Sequence, residues 1–130
     1  MKQLAIISML LAVASTEAGA QNLDGNTLYD ACTQDDLGKQ SFCVGYILGI
    51  VEGVKWGSFL NIAAVDTGMN TDEANQFSDK ILGFCSPANA ELRQHVDIVV
   101  QYLEAHPESR HESARWLVTE AFRKSFPCSP

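Results

Sequence analysis

The chain has 130 residues, 46% of them hydrophobic and 19% charged, with a formal net charge of −7. That length is one domain with a modest core, a size at which covalent staples help. The acidic balance argues against nucleic acid and anionic membrane surfaces as partners, because both repel it, and makes a basic protein surface the natural partner; many exported proteins are equally acidic for solubility alone.

The first twenty residues read as a targeting segment. Lys2 supplies a short positive start, Leu4 to Ala14 an apolar run of about ten residues, and Ala18-Gly19-Ala20 the small residues of a cleavage site. Cleavage after Ala20 leaves a mature domain of residues 21–130. The apolar run is shorter than the roughly twenty residues a membrane-spanning helix needs. Charge in the mature chain is uneven: Asp24 to Glu73 carries eight acids against Lys39 and Lys55, and the remainder is nearly balanced.

Asn26 is placed to cap a first helix, with Leu28 and Cys32 on its inner face. Asp35-Asp36-Leu37-Gly38-Lys39 ends it, with Gly38 as the left-handed terminal residue. A second helix runs from about Gln40 to Leu60, where Phe42, Cys43, Tyr46, Ile47, Ile50, Val51 and Val54 recur at helical spacing. Gly45, Gly49 and Gly53 form a row inside it, each costing about 1 kcal/mol relative to alanine. Close approach of another helix would offset that cost. A helix of the same chain is the simpler partner, and a symmetric second subunit the sharper one.

The stretch Ala63–Asn75 is the least regular. Gly68 and Asn70 suggest a turn, and Asn70 with Glu73 has the form of a capping box for a third helix ending near Gly83. After Pro87, Asn89 is expected to cap a fourth helix reaching Ala105, with the stripe Leu92, Val96, Val99, Val100 and Leu103. Pro107 suits the first residue of a fifth helix, with the stripe Ala114, Leu117, Val118, Ala121 and Phe122. No run alternates with a period of two. The fold class is all-α: a single small domain of about five helices.

Cys32, Cys43, Cys85 and Cys128 are an even set in an exported chain, which reads as two disulfides. Spacings of 11, 42 and 43 fit no common zinc module. Four cysteines allow three pairings. The short connection after the fourth helix predicts an antiparallel hairpin, whose return brings Cys85 to Cys128, while Cys32 and Cys43 flank one turn. That layout favours Cys32–Cys43 with Cys85–Cys128; Cys32–Cys128 with Cys43–Cys85 stays open.

No constellation for catalysis stands out. His95 falls beside the apolar stripe of the fourth helix, and His106 and His111 are five apart across a turn, not on one face. A cysteine nucleophile needs a reduced thiol, which an oxidising compartment and an even count oppose. No spacing singles out a pair of carboxylates, and the glycines of the second helix lie inside it rather than at a phosphate-binding N-terminus. The chain is therefore read as no enzyme, with no cofactor and no metal.

Several blocks together carry a resemblance. They are Leu28, Tyr29 and Cys32; Phe42-Cys43-x-Gly45-Tyr46-Ile47-x-Gly49; Cys85-x-Pro87; Gln94 to Leu103; His106-Pro107-Glu108-x-Arg110-His111; Ala114, Leu117, Val118 and Ala121; and Phe126-Pro127-Cys128. In this order, over nearly the whole mature chain, they are similar to the Rap/Tai family of immunity proteins that neutralise type VI secretion amidases. The resemblance implies an all-helical periplasmic protein, often a homodimer. Its partner would be a secreted Cys–His amidase that cuts cell-wall peptides, occluded sterically and commonly in a two-plus-two complex.

Residues that contact such an effector should lie outside the scaffold motif. The irregular stretch with Asp66, Asp72 and Glu73 is the first expectation, and the corner with Glu108, Arg110 and His111 the second. The bland reading of that corner is a cap with ion pairs fixing the hairpin. Trp56 and Trp116 are candidate anchors, although tryptophans in small helical domains are often partly buried. Competing functions are an acid-stress chaperone that exposes apolar surface when its carboxylates neutralise, a small exported hydrolase, and an orphan structural domain without a current effector.

Overall fold

A computed structural model of the chain describes residues 22–65 and 68–129. The segment 1–20, expected to be a targeting segment, and Asp66 lie outside the described residues. The elements are α1 (Gly25–Thr33), α2 (Leu37–Ala64), α3 (Thr71–Leu82), α4 (Leu92–Ala105), a 3-10 turn (Pro107–Ser109) and α5 (Ala114–Ser125). Among the described residues the only β pairing is one isolated bridge between Asp24 and Ser113, so the all-α class holds.

Several helix ends differ from expectation, each for a local reason. Asp24, not Asn26, caps α1: its Oδ1 accepts the Thr27 N–H at 2.8 Å. That hydrogen bond holds the Asp24 carboxyl below its ordinary range. Gly38 lies inside α2, because Asp36 caps that helix by accepting the Lys39 N–H at 2.8 Å. Asn89 sits in a turn, and α4 starts at Leu92 with no side-chain cap. Pro107 opens the 3-10 turn rather than α5, which begins seven residues later. The capping box of α3 is present with both of its hydrogen bonds. Gly83 ends that helix at φ 76°, a left-handed position that glycine takes at no steric cost.

The core lies where α1, the N-terminal half of α2, α4 and α5 meet. Leu28, Ile47, Val99, Leu103 and the whole α5 stripe from Ala114 to Phe122 are buried there. Phe122 touches Phe84 and stacks toward Phe126, and His95 meets its edge. α2 is the hub, packing against α1, α3, α4 and α5. Its 28 residues are long and apolar enough to cross a membrane, yet Cys43, Ile47 and Val51 commit one face to this core. Beyond Val51, buried positions thin out to Ile62, and α3 covers that C-terminal part.

Gly25 shows how tightly α1 is seated. A Cβ there would stand 2.4 Å from Leu117 Cδ1 and 2.9 Å from the Arg110 carbonyl oxygen. Gly25→Ala is expected to lower stability by about 1–3 kcal/mol through overpacking. Thermal unfolding of the oxidised domain checks this, and a midpoint equal to the parent's would refute the close approach.

Both disulfides follow the favoured pairing: Cys32–Cys43 with Cα atoms 5.1 Å apart and Cys85–Cys128 at 4.9 Å. The first closes the α1–α2 turn, where Lys39 also pairs with Asp30 at 2.9 Å. The second ties the chain after α5 to the segment after α3. There the Cys85 N–H donates to the Phe126 carbonyl at 2.8 Å, and Arg123 Nε donates to the Leu82 carbonyl at 2.7 Å.

Candidate partner-binding surfaces

The corner between α4 and α5 is mostly structural. Arg110 lays its guanidinium 3.7 Å from the Tyr29 ring centroid and donates from Nε to the Leu103 carbonyl at 2.6 Å. The Arg110 and Glu112 carbonyls accept the Asn26 and Gly25 N–H groups at 2.9 and 3.0 Å. Arg110 thus clips α1 to α4, and among the described residues the ion pair at this corner does not involve it. His106 Nδ1 pairs with Glu108 Oε1 at 3.2 Å instead. Glu108's own backbone N–H, then His106, hold its carboxyl below the ordinary range. Acid therefore removes this contact only at a pH under that range, and solvent screening keeps its contribution small. Glu108 and His111 are exposed, so of the three corner residues these two are presented outward.

At the start of α3, Asp72 and Glu73 are both exposed. Glu73 is also structural, since its Oε2 accepts the Asn70 N–H at 3.0 Å while Asn70 Oδ1 accepts the Glu73 N–H at 3.0 Å.

The glycine row has no partner among the described residues of its own chain. A Cβ at Gly45, Gly49, Gly53 or Gly57 would meet nothing within 4 Å. The same-chain helix expected there does not cover the row, because α1 and α4 gather on the opposite side, around Cys43, Ile47 and Val51, and α5 comes only to its edge. The outer face is nonetheless apolar: Phe42, Leu48, Trp56 and Leu60 are 46, 40, 62 and 49% exposed. A helix apolar all round ordinarily has both faces covered.

Beside the row, α5 leaves a notch of about 430 Å³. Gly49, Gly53, Ile50 and Val54 form its floor, and Arg115, Trp116 and Thr119 its wall. Trp116 is 50% exposed and Trp56 more so, so neither is a core tryptophan. Gly57, Ile50, Val54 and Thr119 were not candidates from the sequence; the continuation of the glycine row to Gly57 was the one available signal.

His95 occupies the boundary position its spacing suggests. Nδ1 donates to the Glu91 carbonyl at 3.0 Å, leaving Nε2 to accept the Ser86 hydroxyl at 2.8 Å. Among the described residues no group of three His, Cys, Asp or Glu side chains is placed to hold a metal ion.

Comparison with known proteins gives one match. A family model of the Rap1a immunity proteins covers residues 24–128. No curated protein and no solved structure matches the chain. The matched span opens on the residue that caps α1 and closes on the last cysteine, so it takes in all five helices and both disulfides. The chain belongs to the Rap1a immunity proteins.

Proposed function

We propose that this immunity protein acts in the periplasm, as a homodimer, by binding a type VI secreted peptidoglycan amidase and covering its active-site cleft. The observation that carries the reading is the family match across the whole bundle. Two bonded cysteine pairs with none left free suit an oxidising compartment. The acidic surface suits a partner with a basic rim, where charge speeds encounter. The exposed apolar side chains supply anchors of the kind that dominate specific interfaces. Inhibition of this kind is steric and asks for no bond-making by the chain itself.

The start of α3 is the proposed effector contact. Asp72→Ala with Glu73→Gln, which keeps the capping box, is expected to weaken effector binding about ten-fold or more with the helical signal unchanged. Equal affinity in titration would remove this assignment. The function is tested in cells that direct a type VI amidase to their own periplasm. The full chain should restore growth, and a chain lacking residues 1–20 should not. Lysis despite exported, soluble chain would refute the proposal.

A further inference from the structure

We infer that α3 is a flap that swings about its C-terminal end, and that its closure on α2 sets how well the chain binds its effector. The coupling to binding rests on the contact proposed at the start of α3; the flap itself does not. The two ends of α3 are held differently. At the C-terminal end, Leu82 joins the main core cluster and its carbonyl accepts Arg123 Nε at 2.7 Å. Gly83 follows at φ 76°, and the Cys85–Cys128 bond holds the chain just beyond it. At the N-terminal end, the capping bonds of Asn70 and Glu73 join α3 only to itself. From Asn70 to Ser78, among the described residues, no hydrogen bond or ion pair ties the helix to another element.

That half of the helix rests on α2 through little surface. Its buried side chains are Ala74 and Ser78, both small. Ala74 and the neighbouring Ile62 of α2 are buried but lie outside the core cluster. Two hollows of about 170 and 230 Å³ enter between α2 and the first turns of α3, both reaching Phe59 and Thr71. The Ser78 hydroxyl is buried with no hydrogen-bond partner among the described residues, a penalty that opening to water removes. Little apolar burial set against such a penalty marks an element that opens locally, well below the free energy of global unfolding. Once off α2, a helix of 12 residues is too short to persist alone. Opening therefore scatters Asp72 and Glu73, which the closed helix presents to solvent in fixed positions, and only the closed fraction binds.

Hydrogen exchange on the oxidised mature domain, as parent, Ser78→Ala and Ser78→Leu, tests the flap, with titration into the amidase alongside. In the parent, the amides of Ala74 to Ser78 should exchange about a hundred-fold faster or more than those of Val99 to Leu103 in the core. Ser78→Ala removes the unpaired hydroxyl and should slow exchange in α3 about five-fold or more. Ser78→Leu should speed it, because neither hollow reaches Ser78 and the larger side chain wedges the helices apart. Leucine is the better helix former, so this loosening cannot come from propensity. The leucine variant should bind the amidase roughly ten-fold more weakly, with exchange in α4 unchanged. Exchange of α3 and α4 together in the parent overturns the flap. Faster α3 exchange in Ser78→Leu at unchanged affinity overturns its coupling to binding. A parent that binds no amidase removes the proposed function instead, and the exchange rates alone then decide the flap.

Discussion

Replacing Cys85 and Cys128 together with serine is expected to lower the stability of the oxidised domain by about 4 kcal/mol. The bond closes a loop with a sequence separation of 43, and the chain-entropy model gives that value for a loop of this length. For a domain of this size it is a fall in melting temperature of about 15 °C. The effect should also be local. The bond holds the chain after α5 against the segment after α3, beside the Cys85–Phe126 and Arg123–Leu82 hydrogen bonds. Amides of α3 should therefore lose protection from hydrogen exchange before those of α4. Serine at Cys32 and Cys43 should cost less, about 3 kcal/mol, because its separation is only 11. Calorimetry on both double variants checks the ordering, and a larger loss from the shorter loop would contradict it.

Phe122→Ala is the second large expected effect, at about 3–5 kcal/mol. Phe122 has no exposed surface. Its ring lies 5.5 Å from Phe84 and 6.4 Å from Phe126, centroid to centroid, with His95 edge-on at 5.3 Å. It thus joins α4, α5 and both segments flanking the second disulfide. Alanine leaves a cavity that the adjacent disulfide prevents from collapsing. Leu92→Ala makes the contrast, since Leu92 belongs to the α4 stripe by spacing but is 38% exposed. It should cost under about 1 kcal/mol. Urea unfolding of the two variants measures both, and similar losses would show the core to be centred elsewhere.

The helix order, the α5 stripe and the cysteine pairing were legible in the sequence because each rests on local spacing, whereas Leu92 and Phe42, assigned to the α4 and α2 stripes by the same spacing, are exposed at helix edges. The α5 stripe Ala114, Leu117, Val118, Ala121 and Phe122 is buried in full, and Asn70 with Glu73 caps α3 as its spacing requires. Cap choice was less legible. Asp24 and Asn26 are both good caps, and what selects Asp24 is tertiary: the Asp24–Ser113 bridge and the hydrogen bond from Ala114 N–H to the Leu23 carbonyl at 2.7 Å. Arg110 shows the same limit. Its charge suggested an ion pair or a partner contact, but Tyr29, distant in sequence, takes its guanidinium. The glycine row was visible as a pattern, yet its orientation was not. Periodicity cannot assign an inner face to a helix that is apolar on both sides, and the side carrying Cys43 won because a disulfide, α1 and α4 converge there.

Inhibition of a secreted amidase by direct binding is the function we propose for this chain. Its most direct test is calorimetric titration of the oxidised domain, residues 21–130, into a type VI amidase from the same genome, with cell-wall hydrolysis followed in parallel. Nanomolar affinity, one chain bound per enzyme, and hydrolysis falling in proportion to the chain added are the expected results. Absence of heat and undiminished hydrolysis with every such amidase would contradict it.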